Sequence, residues 1–310
     1  MENIEPINQI KLFGLDKYFK ELVILDNNNK LPNKIMLSGP KGQGKSTLAY
    51  HFINYILSKD DEFKYDISNF EINIENPTFK TTLNKSNPNL ISIDINDEKK
   101  FIDINQIREL IYNLKKTSFN KKPKFVLIDN IELLNINSIN ALLKILEEPS
   151  NNIFFILINN NKKILSTLLS RCINFRIFLS NKDSLAIADK LLEGNLSNSI
   201  NVNLINYYLS PGNIYTLVKF SKEKDYDLLN LDLKSFLKKI ISNNDYKKDS
   251  SIRYLIYDFL EFYFYKINSS FSFQIYENYL YFLKRISDTK KFNLDEESLF
   301  IEFKDNILNG

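Results

Sequence analysis

The residues best suited to chemistry lie between Lys34 and Tyr50, which read Lys-Ile-Met-Leu-Ser-Gly-Pro-Lys-Gly-Gln-Gly-Lys-Ser-Thr-Leu-Ala-Tyr. Gly39, Gly44, Lys45 and Ser46 fit the phosphate-binding pattern G-x-x-x-x-G-K-S/T. They lie between an apolar run and a helical pattern, the context that gives this pattern meaning. Backbone N–H groups of Gly39, Pro40's neighbours Lys41 and Gly42, Gln43 and Gly44 would turn inward around phosphate, and the following helix would add its positive end. Lys45 is then placed to reach the β and γ phosphates and Ser46 to put its hydroxyl on Mg²⁺, with Thr47 beside it on the first helical turn. The expected cofactor is ATP or ADP with Mg²⁺. A chance glycine turn is the competing explanation, but the chain has only seven glycines and three of them, Gly39, Gly42 and Gly44, are in this loop. Glycine weakens strands and helices, so it collects where backbone must approach something closely.

A second acid-bearing stretch, Lys124-Phe-Val-Leu-Ile-Asp129, is a continuous apolar run ending in a carboxylate. That is the pattern of a buried parallel strand with its acid at the carboxyl end, where ligands of α/β sheets bind. On these residues alone Asp129 is either a plain strand cap or a Mg²⁺ partner of Ser46. The elements around it repeat in αβ order. Leu15 to Leu25 has helical spacing, Leu90 to Ile95 alternates as a strand, Ile104 to Leu114 is amphipathic, Ser138 to Glu148 is a helix stopped by Pro149, and Ile153 to Ile158 is a strand ending at Asn159 and Asn160. Ser58 to Asn89, with Pro77 and Pro88, is expected to be loop with short pieces. His51 has no second ligand nearby and is expected to be a partly exposed helix residue. By residue type alone, Arg171 in Leu168-Leu-Ser-Arg-Cys172 is an exposed base after a short helix.

The whole chain sets the frame for these motifs. With 310 residues, 44% of them hydrophobic, it is long enough for two or three domains. No run approaches the roughly 18 apolar residues of a membrane helix, and the start Met-Glu-Asn-Ile-Glu-Pro does not resemble a signal peptide, so the cytoplasm is the expected compartment. One cysteine, Cys172, excludes an internal disulfide and a cysteine-cluster zinc site. Lysine and arginine total 41 against 38 acids, a net charge of +3 that implies no general affinity for nucleic acid. From about Leu179 the pattern is helical, with Asp183 to Glu193, Asn203 to Tyr208 and Asn213 to Ser221 followed by helices from Tyr226 onward. The aromatics Tyr254, Tyr257, Phe259, Phe262, Tyr263, Phe264 and Tyr265 suit a helix core plus an interface better than base stacking, because only scattered lysines flank them.

Two strings together carry a family resemblance: Asn140-Ala-Leu-Leu-Lys-Ile-Leu-Glu-Glu-Pro149 and Ser170-Arg-Cys172, with Ile104-Asn-Gln-Ile-Arg108 also matching. They resemble the bacterial DNA polymerase III clamp-loader family of AAA+ proteins, and the likeness runs from about Ile4 through Ile177. The resemblance implies an α/β AAA+ P-loop module over 1–177, a helical lid over 178–222 and a helical collar or oligomerisation domain over 223–310. It implies that Arg171 acts in trans on a neighbouring subunit's ATP site and that Asn159 or Asn160 senses the γ-phosphate. The implied partners are gamma/tau-type and delta-type loader subunits in a hetero-oligomer, the sliding clamp, and primer-template DNA through the complex, with no membrane and no zinc.

Departures from the active ATPase pattern point to a member that binds nucleotide and hydrolyses it weakly. Asn130 stands where active relatives carry a water-polarising glutamate, and an amide cannot be that base. Glu132 is two positions further on and too distant to substitute if the strand geometry persists that far. In Ser210-Pro-Gly-Asn-Ile-Tyr215, Tyr215 takes the place of the phosphate-sensing arginine. The alternatives are a self-sufficient AAA+ motor and a P-loop kinase-like enzyme, the latter lacking any identifiable acceptor site.

Overall fold

In the computed structural model the described residues are 4–95, 101–115, 120–147, 152–206, 209–247, 250–267, 273–292 and 294–309. The helix stop expected at Glu148 and Pro149, and Tyr208, lie outside them. The chain divides into two compact units, Met1–Asp183 and Ser184–Gly310.

The first unit is a parallel sheet with helices. In chain order it contains α1 (Asp16–Asn27), β1 (Lys34–Ser38), α2 (Lys45–Leu57), α3 (Pro77–Leu83), β2 (Leu90–Ile93), α4 (Ile104–Leu114), β3 (Lys124–Ile128), α5 (Ile136–Glu147), β4 (Ile153–Asn159), α6 (Ser166–Leu169) and β5 (Ile173–Arg176). The strands stand in the order β2-β3-β4-β1-β5, every pair parallel. All five residues of β3 are buried, as expected of a central strand covered on both faces. One cluster in this unit packs Met36, Val126, Ile128, Phe155 and Leu157 from the sheet against Ile107 and Leu110 of α4 and Leu142 and Leu146 of α5.

Helix starts match local chemistry. Asp103 accepts from the N–H of Asn105 and Gln106 while Gln106 reaches back to the Asp103 N–H, a reciprocal box that fixes where α4 begins. Asn76 caps α3 the same way on one side, with Pro77 at the first helical position. The segment Ser58 to Asn89 thus holds one short helix between turns, in keeping with the loop expected there.

The second unit is helical and takes in most of α7 (Asn181–Leu191), then α8 (Pro211–Glu223), α9 (Leu233–Ser242), α10 (Ser250–Ile267), α11 (Phe273–Phe292) and α12 (Glu296–Phe303). A core cluster in it runs from Ala188 through Leu217 and Phe236 to Phe303 and Leu308. Of the aromatics in α10, Tyr257, Phe259, Tyr263 and Phe264 are buried there, whereas Tyr254 and Tyr265 are exposed. Of the helix expected over Asn203 to Tyr208, residues 207 and 208 lie outside the described ones, and the start is a 3-10 turn, Val202–Leu204, opened by the Asn201 side chain accepting from the Asn203 N–H. A side chain that bonds its own backbone competes with helix continuation, and the Asn-rich sequence supplied the competitor.

Candidate nucleotide site

β1 delivers its carboxyl end directly into the loop 39–44, and α2 leaves from it. Gly39 has φ 155°, and a Cβ there would lie 2.2 Å from the Ile177 carbonyl oxygen, so only glycine passes this point. Gly44 is the N-cap of α2 with φ 79° and gives no side-chain cap, which leaves the first N–H groups of a 13-residue helix without a side-chain partner at that position.

Lys45 is 3% exposed. Its ammonium donates to the carbonyls of Gly39 at 2.9 Å and Pro40 at 2.7 Å, so it is folded over the loop it would share with phosphate. Burial pulls its pKa down to about 8, against the opposing pull of Asp129 and Glu132. The Ser46 hydroxyl donates to the Asp129 carboxylate. Burial pushes Asp129 up to about 6, with the Ser46 bond working the other way and the Asp94 charge adding to the rise. The two oxygens expected to hold Mg²⁺ are therefore together, in a place where a cation would relieve a desolvated carboxylate.

Beyond Asp129 the chain does not stay extended. β3 ends at Ile128, Asn130 adopts a left-handed conformation with φ 52°, and Ile131–Leu133 form a 3-10 turn. The condition that kept Glu132 far from the site does not hold. The turn carries the Glu132 carboxylate to the end of β4, where it accepts from the Asn160 N–H at 3.3 Å. Asn130 is held at both ends of its amide, donating to Asp94 at 2.7 Å and accepting from Asn160 Nδ2 at 2.8 Å.

Asn159, at the end of β4, is buried and closes a local turn, donating to the Lys162 carbonyl and accepting from the Lys162 N–H. Asn160 is the residue that reaches Asn130. Gln43 has a buried side-chain oxygen without a hydrogen-bond partner, a polar atom inside the loop. Asp94 was missed from the sequence, although it ends its strand with an acid just as Asp129 follows the neighbouring one.

Arg171 follows α6, 31% exposed, and donates to the Thr167 carbonyl at 2.8 Å and to Glu147 at 2.5 Å. Tyr215 is buried in the second unit, at 3% exposure. Cys172 is a free thiol whose pKa burial pushes up to about 11.

His51 is not partly exposed as expected but fully buried, because α2 is enclosed on nearly every side. Its Nδ1 pairs with the Tyr65 hydroxyl at 2.9 Å and its Nε2 with the Gln9 carbonyl at 3.1 Å. Burial depresses its pKa to about 4, against a smaller upward pull from the Gln9 carbonyl. Between pH 6.5 and 4 the unfolded chain takes up a proton at His51 that the folded chain refuses. Stability present above pH 6.5 is therefore lost as pH falls through that window, by up to about 3 kcal/mol at 1.36 kcal/mol per unit. Denaturant midpoints across this range should fall more steeply for the wild type than for His51→Gln. Parallel slopes would show that the imidazole does not titrate as its burial requires.

A P-loop on a parallel sheet in this strand order, with a strand-terminal acid meeting the loop's serine, defines the first unit as an α/β module of the AAA+ class. A family model described as DNA polymerase III, delta subunit, matches residues 14–180, and the chain belongs to that family of bacterial clamp-loader proteins. It is 34% identical over 159 residues to the DNA polymerase III subunit gamma of Buchnera aphidicola subsp. Schizaphis graminum, covering 50% of this chain and 40% of that protein. It is 29% identical over 164 residues to the subunit delta' of the same organism, covering 53% and 48%. The match spans less than half the length of these curated relatives. A solved gamma-subunit-related protein of Thermotoga maritima aligns over 93% of this chain and 97% of its own at 16% identity, with a TM-score of 0.42.

Among the described residues no group of three or more His, Cys, Asp or Glu side chains could hold a metal ion. Mg²⁺ in a nucleotide site needs only one or two side-chain oxygens beside phosphate and water, and Ser46 with Asp129 fits that need. Among the described residues no helix is long and apolar enough to cross a membrane.

Proposed function

We propose that this chain is a delta prime-like subunit of the DNA polymerase III clamp loader, one that binds nucleotide, hydrolyses it weakly and supplies Arg171 to a neighbouring subunit. The observation that carries this reading is the contrast within one site. The phosphate loop, Lys45, Ser46 and Asp129 are assembled, while the position that should carry a water-polarising glutamate is an asparagine with both ends of its amide engaged. Binding would use Gly39 to Thr47, with Ser46 and Asp129 on Mg²⁺ and Asn159 or Asn160 facing the γ-phosphate. Bound Mg²⁺ would neutralise phosphate charge, and this chain's own residues would hold and orient the nucleotide. The family strings support Arg171 as the residue acting in trans. The burial of Tyr215 fits a chain without its own phosphate-sensing arginine.

In this reading 1–177 binds nucleotide, 178–222 acts as the lid and 223–310 as the collar that joins gamma/tau-type and delta-type subunits. The assembly would act in the cytoplasm on the sliding clamp and on primer-template DNA. A second reading, a self-sufficient gamma/tau-like motor, is favoured by the 34% identity to a gamma subunit. Turnover separates the two. The isolated chain is expected to hydrolyse ATP far below the roughly 1 to 10³ s⁻¹ of typical enzymes. A rate within that range would favour the motor. Size-exclusion chromatography with motor subunits of the same genome should show a stable mixed complex, and failure to assemble would remove the clamp-loader role.

A further inference from the structure

The phosphate loop contains one side chain to which the proposed function gives no role. Gln43 is 6% exposed, and among the described residues its buried Oε1 accepts from no donor. This oxygen lies 3.5 Å from the point that a Cβ on Gly39 would occupy, and the Ile177 carbonyl oxygen is 2.2 Å from the same point. Gln43 therefore reaches the place where the loop crosses the chain leaving β5. One wall there is a residue without a side chain, and another is a carbonyl, which can only accept.

The donors around this crossing are committed elsewhere. Lys45 gives two of its protons to the Gly39 and Pro40 carbonyls. The Gly39 N–H goes to the Asn159 carbonyl at 3.2 Å and the Ile177 N–H to the Ser38 carbonyl at 2.7 Å. The Ser38 hydroxyl donates to Asn174 Oδ1 at 2.7 Å. A buried acceptor left unmade is costly, whereas an apolar side chain of the same length would fill this space without that cost. The carboxamide is explained by a donor that arrives with a ligand.

Phosphate oxygens accept and cannot be that donor. A nucleotide offers others, the amino N–H of its base and the hydroxyls of its ribose. We propose that Gln43 is a specificity-determining residue whose amide oxygen takes a hydrogen bond from a donor on the nucleoside. The terminal torsion of a glutamine is soft, so the oxygen can turn to meet that donor while the loop keeps its shape. The loop then selects the nucleoside as well as holding the phosphates. This rests on the reading of 39–47 as a nucleotide site, and it adds what the bound molecule must carry beyond its phosphates.

The test is a titration of the full chain with four ligands, each with Mg²⁺, in the wild type and in Gln43→Met. The ligands are ATP, purine riboside triphosphate, which lacks the exocyclic amino group, and the two ATP analogues that each lack one ribose hydroxyl. Methionine is unbranched and close to glutamine in length, and its sulfur is a weak acceptor. The wild type should bind one of the analogues about tenfold more weakly than ATP, and Gln43→Met should bind that analogue and ATP within about twofold of each other. Weak binding of the purine riboside compound places the donor on the base, and weak binding of a deoxy analogue places it on the sugar. Equal binding of all four by the wild type overturns the proposal and leaves the phosphate site standing, and that comparison needs no substitution to fold. A preference that persists unchanged in Gln43→Met overturns it as well. A wild type that binds none of the four removes the nucleotide site, and this inference with it.

Discussion

Lys45→Ala is expected to weaken binding of ATP or ADP with Mg²⁺ by roughly 10- to 150-fold, the equivalent of about 1.5 to 3 kcal/mol for one charge-assisted contact. The ammonium already gives two of its three protons to the Gly39 and Pro40 carbonyls, so its third and its charge are what phosphate would gain. Burial lowers its pKa only to about 8, and the lysine stays predominantly charged at neutral pH. Two effects compete in the variant. Alanine removes a buried charge whose desolvation is unfavourable, and it also takes the donor away from two loop carbonyls. Because these offset each other, folding should change much less than affinity. Titration with a fluorescent nucleotide measures the difference directly. Equal affinity in the wild type and the variant would mean the loop is vestigial, and the nucleotide-dependent parts of the proposed function would go with it.

How far the site was legible follows from which parts were periodic or local. β1, β3 and β4 announce themselves as apolar runs of strand length, and α4 was bounded correctly because its face repeats and its caps are local chemistry. The Ser46 and Asp129 pairing was also legible, since a P-loop fixes one partner and a buried strand ending in an acid fixes the other. What was hidden depends on departures from the regular period. A left-handed residue at Asn130 is not visible in a string of letters, and with the turn that follows it carries Glu132 to the Asn160 N–H. Asp94 becomes significant only once β2 and β3 are known to be neighbours, a pairing between strands separated by a helix. His51 was misplaced for a different reason. One polar residue in an amphipathic-looking helix suggests a wet face, but Tyr65 and the Gln9 carbonyl, from loops on either side in sequence, supply it with partners and close the face.

The largest effect is expected at Arg171. Its guanidinium has five N–H donors, and this chain engages it through the Thr167 carbonyl and the Glu147 carboxylate. The ion pair is solvent-facing, with side chains 31% and 54% exposed, and such pairs contribute only about 0 to 1 kcal/mol. A contact that weak holds the planar fork in place without competing seriously against a phosphate, so the arginine remains available to a partner. Arg171→Ala should accordingly leave folding, nucleotide affinity and assembly of this chain nearly unchanged. At the one partner site it is proposed to serve, loss of the guanidinium should slow hydrolysis by on the order of 10³ to 10⁵, the size of effect such groups have on a transferred phosphoryl. The reconstituted loader, with other sites intact, would show this as reduced DNA-stimulated ATP hydrolysis and reduced clamp loading. Arg171→Lys should not rescue either activity, because lysine keeps the charge and loses the bidentate geometry. Hydrolysis and loading at wild-type levels by the Arg171→Ala complex would leave this residue as a surface ion pair with Glu147 and nothing more.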